Sequence, residues 1–231
     1  MLEAVFGALA ADPLVHGIRM GGSRARGEAD EWSDIDLVLD APGWTPARLG
    51  GLWLGGQSMR LGESPFFHGA LADGTVLDVI VGPHGPGYVA IEAEPQSPPP
   101  AVPLAEGPAL DFWLNSMKHP KPLGRGVAGM ALFGLHEEAK TLLRLWVIED
   151  TGKDPGPSAF TIFGLTPLVR AHLSAERLAL LGMPQRDEAE LRATMNAYRD
   201  AVSSAGRAAE DRWGVAYPHL LEAVVRKRWP V

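Results

Sequence analysis

The sequence of 231 residues contains no cysteine. Without thiols there can be no disulfide framework, no thiolate nucleophile and no zinc or iron–sulfur site with cysteine ligands. The seven histidines show no ligand spacing such as His-x-x-x-His, so a zinc site is not expected. Any catalytic metal ion must therefore be held by oxygen or imidazole ligands.

Long apolar runs and basic clusters are missing as well. No uninterrupted stretch approaches the roughly 18 apolar residues typical of a membrane span, and the first residues lack the basic start of a secretion signal. We therefore expect a cytoplasmic protein with no membrane partner. The 21 Lys and Arg stand against 28 Asp and Glu, which gives a net charge of −7. Because binding to a phosphate backbone needs clustered cations, nucleic acid is not expected as a partner.

A proline-rich segment divides the chain into two regions of different charge. Residues 92–103 include five prolines in twelve positions, which neither a helix nor a central strand tolerates. Residues 1–104 carry 13 acidic and five basic residues, a net charge of −8, whereas residues 105–231 carry 15 and 16, a net charge of +1. We predict a first domain over 1–91, a linker over 92–108 and a second domain over 109–231.

The hydrophobic pattern changes from short strands to helices at this linker. Asp73-Gly74 lies between two apolar, partly β-branched runs, which is a strong hairpin signal. After the linker, apolar residues such as Leu135, Leu142 and Trp146 recur with helical period. This order predicts an α+β fold whose second half is an all-α bundle. The expected elements are a helix at Leu2–Ala11, strands at Leu14–Met20, Ile35–Leu39, Phe66–Leu71 and Thr75–Val81, and helices at about 127–150, 160–182, 186–205 and 214–228.

Two aspartates at the start of a predicted strand are the first candidates for chemistry. Asp34 and Asp36 flank Ile35, and side chains two apart on a strand share a face. Two carboxylates held this close repel each other unless a divalent cation or a proton stabilises them. The pattern therefore favours a hard metal ion, and Mg²⁺ is the simplest choice.

A glycine-rich bend precedes these aspartates by about ten residues. Gly21, Gly22 and Ser23 follow a predicted strand, and glycines allow backbone N–H groups to turn towards an anion. A helix that begins near Ser23 would also direct its positive end at a phosphate. The string is neither a P-loop nor a dinucleotide fingerprint, because GxxxxGK[ST] and GxGxxG are both missing. An EF-hand loop fails too, since its central glycine and closing glutamate are absent.

The whole string from Met20 to Leu37 resembles the signature of the nucleotidyltransferase superfamily related to DNA polymerase β. That signature is a hydrophobic residue, Gly-Gly or Gly-Ser, about ten residues, and then acid, hydrophobic, acid, hydrophobic. The family has a third carboxylate on a later strand of the same sheet, and Asp78, 42 residues beyond Asp36, is the candidate. The size and helical second half are most similar to bacterial adenylyltransferases that modify aminoglycosides or lincosamides.

The resemblance implies a fold, a reaction and roles for these residues. It implies a mixed β-sheet with flanking helices, followed by a helical domain that clamps substrate or nucleotide. Asp34, Asp36 and Asp78 would be catalytic and would hold two Mg²⁺ ions, and Asp78 could instead accept the proton of the attacking hydroxyl. Gly22 and Ser23 would bind the phosphates of ATP, the co-substrate. The acceptor would lie between the two halves.

Basic residues near these motifs are further candidates for binding the nucleotide. Arg24 and Arg26 follow the glycine bend, and arginine forks suit phosphate oxygens, although both could be ordinary turn residues. Lys118, Lys121 and Arg125 form the densest cationic patch outside the C-terminal tail. They could contact the triphosphate, or they could belong to an exposed connection.

We therefore expect an enzyme that transfers AMP from ATP to a hydroxyl of an aminoglycoside-type antibiotic, with release of pyrophosphate and a role in antibiotic resistance. Two alternatives remain: adenylylation of a protein hydroxyl, as in nucleotidyltransferase-type antitoxins, and a non-catalytic nucleotide-binding module. The intact motif argues against the last of these. Neither the acceptor nor the oligomeric state follows from the sequence.

Overall fold

A computed structural model of the protein describes residues 1–82, 89–90, 107–156 and 170–231. The chain divides into two compact units, Met1–Leu104 and Ala105–Val231. The proline-rich segment 92–103, and residues 160–169 of one predicted helix, lie outside the described residues.

Among its described residues, the first unit is built around a mixed six-stranded sheet. Its strand order is β3-β4-β5-β2-β1-β6, and all neighbours are antiparallel except the parallel pair β2 and β5. The predicted α+β fold with a mixed sheet is confirmed. In chain order the elements are α1 (Leu2–Ala10), β1 (Gly17–Met20), α2 (Gly22–Ala25), β2 (Ile35–Asp40), a 3₁₀ helix (Pro46–Leu52), β3 (Trp53–Leu61), β4 (Ser64–Leu71), β5 (Val76–Val81) and β6 (Val89–Ala90).

Alternation along β2 separates a core face from a polar face. Ile35, Leu37 and Leu39 are at most 1% exposed and join a core with α1 and the neighbouring strands. The residues that alternate with them, Asp36, Val38 and Asp40, are half-buried. Because side chains alternate along a strand, one face of the sheet carries the apolar core and the other carries carboxylates.

The predicted hairpin forms, and the sequence analysis had missed a strand beside it. The strands β4 and β5 pair on either side of the Asp73-Gly74 turn, where the Asp73 carboxylate accepts a hydrogen bond from the Thr75 amide at 2.9 Å. The additional strand β3 pairs with β4 along almost its whole length.

The second unit is helical, as predicted. Its elements are α3 (Pro108–Ser116), α4 (Pro120–Gly124), a 3₁₀ turn (Ala128–Met130), α5 (Ala131–Thr151), α6 (Ala175–Leu181), α7 (Glu188–Trp213) and α8 (His219–Arg228). Side chains of Ser174 and Asp187 cap the starts of α6 and α7 by accepting backbone hydrogen bonds. Within the described ranges, no helix has the length and apolar character needed to cross a membrane.

Candidate active site

Three polar side chains lie in one row across the centre of the sheet. His68 on β4 is the register partner of Asp78 on β5, and Asp78 is the register partner of Asp36 on β2. Register partners project from the same face of a sheet, so the row places one imidazole and two carboxylates side by side. Asp34 immediately precedes β2 and is half-buried, in step with Asp36.

The glycine bend at the end of β1 packs directly against Asp36. The Gly21 amide donates a hydrogen bond to the Asp36 carbonyl oxygen at 2.8 Å. Gly22 has a φ of 60°, and a Cβ atom added there would lie 1.8 Å from Oδ2 of Asp36 and 2.6 Å from its Cγ. Only glycine fits this position, because both the backbone conformation and the distance to the carboxylate exclude a side chain. The bend and the carboxylate therefore belong to one site.

A single helical turn follows the bend. The helix α2 begins at Gly22, so Gly22 and Ser23 occupy its first positions, where backbone N–H groups have no acceptor within the helix. Such groups can donate to an anion such as phosphate. The same turn therefore supplies hydrogen-bond donors next to the Asp36 carboxylate.

The two arginines after the bend contact residues of their own loop. Arg24 donates from Nε to the Asp34 carbonyl oxygen at 3.0 Å and from Nη2 to the Ser33 carbonyl oxygen at 3.2 Å. These bonds tie α2 to the start of β2 and fix the backbone at Asp34. Arg26 forms an exposed ion pair with Glu28 at 2.6 Å. Contacts of both arginines with a triphosphate remain predictions.

The candidate cations of the second unit differ in exposure. Lys121 lies in α4 and is buried, with 8% exposure, whereas Lys118 and Arg125 are exposed. Lys118 lines a cavity of about 200 Å³ together with the buried His119. The prediction that these three residues bind a nucleotide is neither supported nor contradicted by these positions.

The sequence analysis had missed His68. Its side chain is buried, and its Nδ1 contacts Oδ1 of Asp78, whose own side chain is 23% exposed. The two residues lie five positions before and five after Asp73, so a hairpin centred on that turn pairs them. The hairpin signal could therefore have identified His68 if the register had been worked out from the turn.

The carboxylate oxygens of Asp36 and Asp78 are suitable ligands for magnesium. Mg²⁺ prefers oxygen ligands and is often held by one or two carboxylates together with substrate phosphates. Among the residues that the structure describes, no three His, Cys, Asp or Glu side chains form a ready-made metal cluster. Asp36 and Asp78 on adjacent strands, with the glycine bend beside Asp36, fit an ion whose remaining ligands come from a bound nucleotide.

One known protein family matches the part of the chain that holds the glycine bend. Residues 3–72 match the family model described as the nucleotidyltransferase domain. Over these residues the first unit is similar to nucleotidyltransferase domains. The matched residues include the glycine bend, Asp34 and Asp36, and they end before Asp78. The suspected superfamily is confirmed for this unit, and the prediction of a transferase enzyme is confirmed at that level.

The curated proteins and the solved structures give two further comparisons. None of the curated proteins matches the chain. Among solved structures, the chain is similar to the crystal structure of an aminoglycoside 6-adenyltransferase from Bacillus subtilis, at 13% sequence identity and a TM-score of 0.43. The similarity covers 98% of this chain and 95% of that chain.

Proposed function

We propose that the protein transfers AMP from ATP to a hydroxyl of a small molecule in a magnesium-dependent reaction, and that the acceptor is an aminoglycoside-type antibiotic. The observation that carries the proposal is the contact between the Gly22 bend and the Asp36 carboxylate, with Asp78 in register on the adjacent strand. A phosphate-binding bend and a pair of carboxylates at one place are what nucleotidyl transfer needs.

The glycine bend and the three aspartates each have a task in this reaction. The first amides of α2, at Gly22 and Ser23, bind the β- and γ-phosphates. The carboxylates of Asp34 and Asp36 would hold two magnesium ions, with Asp78 either as a further ligand or as the base. When bound, these ions supply positive charge for the oxygens that enter and leave at the α-phosphorus.

The transfer step forms one bond and breaks one bond. The acceptor hydroxyl oxygen attacks the α-phosphorus of ATP, and the bond from that phosphorus to the β-phosphate bridging oxygen breaks, so pyrophosphate leaves in line. Where Asp78 is the base, the hydroxyl proton passes to one of its carboxylate oxygens and then to solvent. A carboxylate can act as this base when it lies within hydrogen-bond reach of the hydroxyl.

A cationic acceptor is favoured by the charge of the first unit. Residues 1–104 carry a net charge of −8, and the polar face of the sheet presents Asp36, Asp40 and Asp78. Walls of one charge sign raise the local concentration of ligands with the opposite sign. Aminoglycosides carry several ammonium groups, so they match this field better than neutral acceptors do.

The deciding experiment is incubation with ATP, Mg²⁺ and a panel of aminoglycosides and lincosamides, followed by mass spectrometry. We expect one drug to gain the mass of AMP, with an equal amount of pyrophosphate released. Asp36→Asn should abolish the transfer and leave the melting temperature unchanged or raised, because it removes carboxylate repulsion.

The other outcomes separate the alternatives. An AMP adduct on a protein from a bacterial extract, with none on any drug, would move the acceptor to a protein hydroxyl. Binding of ATP with Mg²⁺ but no adduct of either kind would make the chain a non-catalytic nucleotide-binding module. Full activity of Asp36→Asn would remove the metal role of Asp36.

A further inference from the structure

The proposed reaction gives no task to His68, yet its position is unusual. The ring is 4% exposed and contacts the Asp78 carboxylate on the adjacent strand. Its second nitrogen, Nε2, is buried and has no hydrogen-bond partner among the described residues. Burying a polar atom without a partner lowers stability, so packing alone does not explain a histidine here.

The chemistry of the pair fixes the direction of the hydrogen bond. An ionised carboxylate can only accept, so His68 must present Nδ1–H and donate it to Oδ1 of Asp78. In the neutral ring this tautomer makes Nε2 an acceptor nitrogen, and no donor reaches it among the described residues. The bond occupies Oδ1 and leaves Oδ2 as the oxygen that His68 does not engage.

We propose that His68 is a positioning residue that holds the Asp78 carboxylate in one rotamer and so presents Oδ2 to the reacting groups. The proposal rests on the proposed nucleotidyl transfer, because Asp78 needs a fixed oxygen only if it meets magnesium or the acceptor hydroxyl. Groups that orient a ligating or catalytic carboxylate in this way typically affect metal affinity or activity by roughly 10- to 100-fold when they are removed.

Two substitutions of His68 separate orientation from packing. His68→Leu fills much of the space and removes the donor, whereas His68→Asn carries an N–H donor at nearly the position of Nδ1. Phe66→Leu is the matched control, because Phe66 lies two residues earlier on the same strand face and pairs with Ile80.

The kinetic test uses whichever drug the wild-type protein adenylylates, at saturating ATP. We expect His68→Leu to lower kcat, or to raise the Mg²⁺ concentration for half-maximal rate, by roughly 10- to 100-fold. Its KM for ATP and its melting temperature should stay near the wild-type values. His68→Asn should recover most of the loss, and Phe66→Leu should behave like the wild type. Equal losses in His68→Leu and His68→Asn, or no loss in either, would overturn the proposal.

A second readout does not depend on catalysis. Nuclear magnetic resonance of ¹⁵N-labelled histidine distinguishes the Nδ1–H from the Nε2–H tautomer. We expect His68 as the Nδ1–H tautomer in the wild type and loss of that preference in Asp78→Ala. A His68 ring with its proton on Nε2 would refute the positioning role even if the chain transfers AMP. Absence of any AMP transfer, with His68 still in the Nδ1–H form, would instead refute the proposed function and leave the hydrogen bond established.

Discussion

At the scale of single residues, the site depends on one position where only glycine fits. Gly22 combines a left-handed backbone conformation with the closest approach to a carboxylate in the sheet row. The two constraints can be separated, because Gly27 in the same loop has a φ of 72° and nothing within 4 Å of an added Cβ. Backbone strain is common to both positions, and of the two only Gly22 lies against Asp36.

Gly22→Ala should therefore abolish AMP transfer, whereas Gly27→Ala should retain it. Each substitution places alanine in the left-handed region, at a cost of about 1–2 kcal/mol, so both variants should melt at lower temperature than the wild type. Only Gly22→Ala also displaces the Asp36 carboxylate. Melting curves and pyrophosphate release from ATP, measured side by side, test the difference. Wild-type turnover in Gly22→Ala would show that the bend does not act in catalysis.

At the scale of elements, a partly buried ion pair joins the segment after α1 to the 3₁₀ helix in the first unit. Arg48 donates from Nε and Nη2 to the two carboxylate oxygens of Asp12, at 2.5 and 2.6 Å, and the Leu14 amide adds a bond at 3.0 Å. Burial works to raise the pKa of Asp12, but the bonds from Arg48 and Leu14 outweigh it and lower that pKa below 3.8.

This shift makes the stability of the first unit depend on pH. The folded state prefers ionised Asp12, so its contribution is fully present above pH 3.8 and is lost as the pH falls through the lowered folded pKa. Asp12→Asn should cost about 1–3 kcal/mol at pH 7 and much less at pH 2. Melting temperatures of the variant and the wild type at both pH values check this. A difference that stays constant with pH would contradict the assignment.

A buried cation organises the helices of the second unit. Arg199 on α7 is 2% exposed and donates to Ser116 Oγ at 2.7 Å, to the Ser116 carbonyl at 3.1 Å and to the Trp229 carbonyl at 2.7 Å. It therefore links α3, α7 and the segment after α8. Its charge also acts on Glu138, a fully buried carboxyl on α5 whose pKa is raised by burial and partly lowered by Arg199.

Removing this cation should destabilise the second unit strongly. Arg199→Met leaves the Ser116 hydroxyl and two carbonyl oxygens without their donor, at about 1–3 kcal/mol for each buried group left unsatisfied, and it removes the charge that acts on Glu138. The double variant with Glu138→Gln should recover part of the loss. Arg192→Met is the control on the same helix, because the pair of Arg192 with Glu188 is exposed and worth about 0–1 kcal/mol. Urea unfolding curves test these values, and equal losses at positions 192 and 199 would refute the linking role.

The elements also show which features the sequence could predict. The glycine bend, the alternation of Asp34 and Asp36 and the Asp73-Gly74 hairpin depend on neighbours along the chain, and these local patterns were sufficient to locate them. Strand β3 was missed because its glycines do not look like a strand. An added Cβ on Gly56 would lie 2.3 Å from the ring of Trp53. The strand therefore uses glycine to pack closely against Trp53, and strand propensity does not predict this use.

Helix α7 shows that a glycine can also mislead the prediction of a helix end. The pattern predicted a helix ending near residue 205, just before Gly206, but the helix continues to Trp213. Gly206 does not end the helix because it makes room for the ring of Tyr217, which lies 2.4 Å from the position of an added Cβ. Glycine thus serves close packing here, and a sequence pattern cannot distinguish that use from a helix end.

At the scale of the whole molecule, the charge is divided between the units. The first unit carries the catalytic candidates and a net charge of −8 over residues 1–104, whereas residues 105–231 carry +1. The family match also falls within the first unit, at residues 3–72. If this negative field attracts the acceptor, the attraction must weaken when salt screens it, because the Debye length falls from about 10 Å at 0.1 M to about 3 Å at 1 M.

The salt dependence of the acceptor KM therefore tests the choice of an aminoglycoside. At saturating ATP and Mg²⁺, raising NaCl from about 50 to about 500 mM should increase the KM for a polycationic drug roughly three- to tenfold. The kcat should change little, because screening acts on approach and binding more than on the bound complex. A lincosamide carries fewer positive charges and should show a smaller increase, if it is a substrate. A KM that does not respond to salt would mean that the acidic unit is not what selects the acceptor, and recognition would then depend on uncharged contacts.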